Sequence, residues 1–142
     1  MVTFEDNRIK VKNALNDKSI KFLIEAKNSL ASQTQENTPV DTGDLKRSFG
    51  EDSYVDNDNL TAYIGSRLEY AIWVEMGTGE FALKGNGRKG GWVYKDEKGK
   101  THFTMGMKPK RMLYKAYTIK KAKIQEQANR IYKEMNNLWK NF

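Results

Sequence analysis

Apolar residues between Arg8 and Gln35 fall at Val11, Ala14, Leu15, Phe22, Leu23, Ala26 and Leu30, a spacing that gathers them on one face of a helix. Lys12, Lys18, Lys21, Glu25 and Lys27 occupy other positions, as a solvated side requires. The run closes before Pro39, which has no N–H to continue a helix and biases Thr38 to extended backbone. Pro39 to Gly43 has turn composition. Thr42 is a suitable N-cap for one helical turn over Asp44–Arg47, with Asp44 near the positive end of that turn. Phe49–Asp56 and Leu60–Ser66 then read as two strands around the turn Asp56-Asn57-Asp58-Asn59.

In the second half, Tyr70, Trp73 and Val74 recur at helical spacing and Gly77 is a natural stop, so Glu69–Met76 reads as a short helix. A Gly- and Lys/Arg-rich stretch, about 81–91, reads as a flexible loop. Trp92–Lys95 and Thr101–Thr104 flank Asp96–Lys100 as a second hairpin. Beyond Pro109, placed in a first helical turn where its missing N–H costs nothing, Leu113, Ala116, Tyr117, Ile124, Ala128, Ile131, Met135, Leu138 and Phe142 form one stripe. The pattern predicts a single α+β domain over residues 1–142. Its parts are a long N-terminal helix, a small antiparallel sheet built from two hairpins with a short helix between them, and a long basic C-terminal helix.

Charge sharpens this picture. The net +7 is concentrated: residues 108–142 hold ten Lys/Arg against Glu126 and Glu134, so +8, and residues 1–107 sum to −1. Such asymmetry points the last helix at an acidic partner, nucleic acid or protein. The chain has no cysteine, which excludes disulfides, thiolate metal sites and a cysteine nucleophile. Its one histidine, His102, reads as a surface strand residue. No metal or other cofactor is expected. No apolar run is long enough to span a bilayer and the first residues lack a signal-peptide layout, so a soluble protein made in the cytoplasm, without membrane contact, is expected.

Three motifs carry candidate chemistry. Asp41-Thr42-Gly43 is the triplet of aspartic proteases, whose chemistry needs two desolvated carboxylates sharing a proton. Here the flanks, Gln35-Glu-Asn-Thr-Pro39 and Asp44-Leu-Lys-Arg47, would leave Asp41 wet and a single triplet would require a dimer. The competing reading is an Asx-type turn in which Asp41 accepts from backbone N–H groups and Gly43 supplies a special backbone angle. Gly85-Asn-Gly-Arg-Lys-Gly90 matches G-x-G-x-x-G but lacks the strand before and the helix after that a dinucleotide site requires. Lys110, Arg111, Lys115, Lys120, Lys121 and Lys123, with Tyr114 and Tyr117 interleaved, suit phosphate contacts without a sequence-reading motif.

Taken in order, Thr38-Pro-Val-Asp-Thr-Gly-Asp-Leu-Lys-Arg-Ser48, Tyr70-Ala-Ile-Trp-Val-Glu-Met-Gly-Thr-Gly79 and Gly106-Met-Lys-Pro-Lys-Arg-Met-Leu-Tyr-Lys-Ala-Tyr117 closely resemble the neck or tail-completion proteins of tailed bacteriophages, also labelled head–tail joining or minor structural proteins. The stretch from Gly90 to Gly106 looks like the longer hairpin variant of that family, and the resemblance covers roughly residues 8–135. Met112 departs from it, standing where the family usually has Phe; Met is apolar and adaptable. The resemblance implies that Pro39, Asp41, Thr42, Gly43, Leu45, Ser48, Tyr70, Ala71, Glu75, Gly77, Thr78 and Pro109 are structural. It implies no catalysis and a ring homo-oligomer, with a hexamer as the expected form, at the virion neck or tail after synthesis in a bacterial host. Neighbouring head-completion or connector proteins, tail terminator or tube proteins, and DNA held non-specifically in the channel are the implied partners. A tail terminator is the nearest alternative role, and a non-specific nucleic-acid-binding domain the alternative from another class.

Overall fold

The computed structural model describes residues 8–140 of the 142-residue chain. Its element order is α1 (Arg8–Asn37), α2 (Asp44–Glu51), β1 (Tyr54–Asp56), β2 (Thr61–Tyr63), α3 (Ala71–Met76), a 3-10 turn (Gly79–Phe81), β3 (Trp92–Lys95), β4 (Thr101–Thr104) and α4 (Met112–Lys140). The architecture is α+β, as the pattern predicts. The two hairpins form separate two-stranded antiparallel sheets, β1 with β2 and β3 with β4.

The two long helices pack against each other in opposite directions. Asn37 Nδ2 donates to the Met112 carbonyl (3.2 Å) at one end, and Lys18 pairs with Glu134 (3.2 Å) toward the other. Helix α1 ends where the sequence says it must, with the Thr38 hydroxyl folded back onto the Thr34 carbonyl (2.6 Å) just before Pro39. Phe142, placed on the α4 stripe by the sequence, lies outside the described residues.

The core is small and sits at one end of the helix pair. Leu45, Phe49, Ala71 and Met112 form its buried cluster, with Leu68, Val74 and Leu113 packed against it. Phe49 is 1% exposed and Met112 0%. This corrects the reading of Phe49 as a strand residue. Helix α2 runs two turns rather than one, because Leu45, Ser48 and Phe49 share the inner face at helical spacing, and the strand begins only at Tyr54. Two further boundaries differ. The N-cap position of α2 is Gly43 (φ 87°), while the Thr42 hydroxyl makes only a long contact with the Asp44 N–H (3.4 Å). Pro39 and Pro109 both stand outside helices. Pro109 precedes α4 by three residues, and the chain enters that helix through Arg111 at φ 54°.

Candidate assembly surface

Glu75, Gly77, Thr78 and Pro109, four of the residues singled out by the sequence, converge on one joint. Helix α3 presents Ala71 to the core and Glu75 to the start of α4. The Glu75 carboxylate accepts from the Leu113 N–H (Oε2, 2.9 Å) and the Tyr114 N–H (Oε1, 3.1 Å). These are orphan donors of the first turn of α4, a turn that has no acidic residue of its own. Glu75 is thus an N-cap supplied from another helix, with its negative charge at the positive end of the α4 dipole. The backbone carbonyls of Val74 and Glu75 accept from Lys110 (2.8 Å) and Arg111 (3.2 Å), extending the same seam. One turn later Thr78 exchanges two bonds with Met107: its N–H donates to the Met107 carbonyl and its hydroxyl accepts from the Met107 N–H, both 2.9 Å.

Gly77 makes this approach possible. Its φ is 78°, and a Cβ there would stand 2.8 Å from Pro109 Cδ and 2.9 Å from the Met107 and Phe81 carbonyl oxygens. Ser48 binds the neighbouring segment, its hydroxyl 2.6 Å from that of Ser66. Leu45 fills the core. The Asp41 carboxylate is exposed and has no hydrogen bond among the described residues, so the side chain does not form the Asx-type turn expected of it. Pro39, Val40, Asp41, Thr42, Gly43 and Tyr70 instead line an open groove of about 450 Å³ beside Met107.

The basic residues are not gathered in the same way. A helix turns about 100° per residue, so Lys121 and Lys123 point roughly 160° apart, and Lys120, half-buried, lies between them. Lys110 and Arg111 precede α4, with the Arg111 guanidinium 4.1 Å from the centre of the Tyr114 ring, while Lys121 sits 5.6 Å over Tyr117. The G-x-G-x-x-G segment folds back on the 3-10 turn: the Gly90 N–H donates to Glu80 Oε1 (2.8 Å) and Lys89 pairs with Glu80 (3.5 Å). The Gly90 bond holds the Glu80 carboxyl below the usual carboxylate range. His102 Nε2 lies 2.8 Å from Asp96 Oδ2, and its ring stacks on Tyr94.

Residues 3–77 match the family model described as "Bacteriophage HK97-gp10, putative tail-component", just over half of the chain. The chain belongs to this family. No curated protein and no solved structure matches it. The HK97-gp10-like match takes in α1, α2, the first hairpin and α3 and stops at Gly77, the residue on which the α4 approach closes. Membership in the HK97-gp10-like family makes the protein a bacteriophage structural component of the tail.

What the pattern of the sequence did not show is how much apolar surface is left exposed. Ile72 (63%) and Trp73 (57%) of α3, with Leu83 and Trp92, line a groove of about 420 Å³. Val93 and Phe103 stand on a bare face of the second hairpin and Tyr54 and Tyr63 on a bare face of the first. The signal was present in Trp92-Val93-Tyr94: three consecutive apolar residues in a strand put apolar groups on both faces, which a half-solvated hairpin does not need. Among the described residues no helix is long and apolar enough to cross a membrane.

Proposed function

We propose that this chain is a subunit of the head–tail connection of a tailed bacteriophage or phage-tail-like particle, forming part of a neck or tail-completion ring. The observation that carries the reading is where the chemistry went. Glu75 and Thr78 are consumed in holding α3 and the segment after it to the approach and first turn of α4, and Ser48 in holding α2 to Ser66, while large apolar side chains of α1, α3, α4 and both hairpins face outward. A joint made rigid from inside and apolar outside suits a protein whose work is to be packed between neighbours. A ring homo-oligomer supplies some of those neighbours, and head-completion, connector, terminator or tube proteins the rest. The family-motif residues are then scaffold. Lys110, Arg111, Lys115, Lys120, Lys121 and Lys123, spread around the start of α4, meet acidic neighbours on more than one side, with DNA in the channel as a non-specific partner.

Particles made without this protein test the role by electron microscopy. Filled heads and separate tails of normal length are the expected outcome. Tails of unregulated length would instead assign the terminator role, and normally joined particles would overturn both. In the same assay, Lys120→Glu, Lys121→Glu and Lys123→Glu together should block joining or genome retention while the purified chain keeps its helix content. Normal infectivity of that triple variant would remove the basic helix from the mechanism.

A further inference from the structure

The two hairpins carry matching outer faces. In β1–β2, Tyr54 lies opposite Tyr63 and, one pair further on the same face, Asp56 lies opposite Thr61. In β3–β4, Val93 lies opposite Phe103 and, again one pair further on the same face, Lys95 lies opposite Thr101. Each face is therefore an apolar pair followed by a single charge beside a threonine, and the charges have opposite sign. The pairs are open to solvent: Tyr54 51%, Tyr63 47%, Val93 63%, Phe103 65%. Tyr54 and Tyr63 are stacked on each other at 5.0 Å, so the pair stands on that face as one aromatic unit.

The reverse faces are less open, although Tyr94 on that of β3–β4 is 47% exposed. Both strands of β1–β2 lie against α1, and Val55 and Ala62 are half-buried. Trp92, His102 and Thr104 of β3–β4 are half-buried, with Trp92 in the α3 groove. Among the described residues β3 and β4 pack extensively on nothing but each other. A lone two-stranded hairpin is marginal in water and gains stability by covering an apolar face.

We propose that the Val93/Phe103 face of one copy of this chain packs on the Tyr54/Tyr63 face of a second copy, with Lys95 set against Asp56. Two sheets stacked face to face sit ~10 Å apart, so the four apolar side chains interdigitate and the charges meet at one end. Asp56 is suited to this. Its carboxylate is held in place by the Asp58 and Asn59 N–H groups (both 3.1 Å) and by Asn59 Nδ2 (2.7 Å). Lys95 has no carboxylate partner among the described residues. Stacking like on like would bring two lysine faces or two aspartate faces together, whereas the mixed contact pairs the charges. The contact is head-to-tail, since each copy offers one hairpin and receives the other, and a head-to-tail contact propagates into a ring when its rotation closes. This contact rests on the reading of the chain as an assembling structural subunit.

The absence of cysteine makes the test direct. Val93→Cys and Tyr63→Cys are made in separate chains and mixed with a short thiol-specific cross-linker. A covalent dimer is expected in the mixture and from neither chain alone. Lys95→Glu in the first chain should abolish it, and adding Thr61→Lys to the second should restore it, because residue 61 shares the face of Asp56 while leaving the Asp56 turn bonds intact. All four positions are on the outer faces, and unchanged circular dichroism is expected for each variant. Cross-linking of Val93→Cys chains with themselves, or no mixed dimer up to the solubility limit, overturns the contact. Chains that fail to cross-link yet still complete particles would sink this contact and leave the structural role standing. Chains that cross-link but are missing from particles would do the reverse.

Discussion

Gly77 and Gly43 both have positive φ, yet the structure asks different things of them. At Gly43 a Cβ would meet nothing within 4 Å, so Gly43→Ala carries only the left-handed backbone cost of roughly 1–2 kcal/mol. At Gly77 the backbone (φ 78°, ψ 168°) lies in a region almost confined to glycine, about 1–3 kcal/mol for any other residue. The added methyl would also press on Pro109 and on two carbonyl oxygens at 2.9 Å or less. Denaturant unfolding should therefore show Gly77→Ala clearly less stable than Gly43→Ala. Equal losses would mean that α3 and the 107–109 segment are not packed as described. At this scale the sequence was legible for Gly77 as a helix stop and, through the resemblance, for Glu75 as a structural residue. Which amides Glu75 binds was not, because Leu113 and Tyr114 lie nearly forty positions away and no local pattern links them.

The hairpin β3–β4 gives an element-scale prediction. Asp96 accepts from His102 and from the Lys100 and Lys98 N–H groups, and these bonds, His102 first, hold its carboxyl below the usual range. A carboxylate whose folded pKa is depressed stabilises the folded form above its unfolded pKa, about 4, and the effect is lost as pH falls through the lower folded value. Amide exchange in Trp92–Thr104 should thus accelerate on acidification below about pH 4, relative to α1 and α4. Asp96→Asn should remove most of that pH dependence. An acid response of the same size in the variant would place its origin elsewhere. The hairpin's bounds were readable from sequence, since a polar five-residue turn between two strand-like runs leaves little choice of register. The α2–β1 boundary was not: Phe49 suits either a strand or a helix by composition, and only its fit between Leu45, Ala71 and Met112 selects the helix.

Across the whole molecule the balance between core and surface is unusual. Eight apolar residues are buried among the described residues, and four of them are alanines, while the exposed set includes Trp73, Tyr132, Phe103 and Ile119. Little apolar area leaves water when one copy folds, and more is available to leave on association. The proposed association with copies of itself would stabilise such a chain by mass action, and its melting temperature should then rise with protein concentration. A melting temperature constant over a hundred-fold range would mean that the free chain is self-sufficient.

By itself the sequence determined the two long helices, both hairpin turns, the short helix with its glycine stop and the excess positive charge of the last quarter. These follow from period, from turn residues and from counting, all local properties. Tertiary structure alone decided that the second and third motifs form one joint, because the bonds from Glu75 and Thr78 join segments about thirty to forty residues apart. It also decided that one face of each hairpin is left bare. A bare face is a statement about what nothing else covers, and no stretch of sequence carries that information until the rest of the chain is in place.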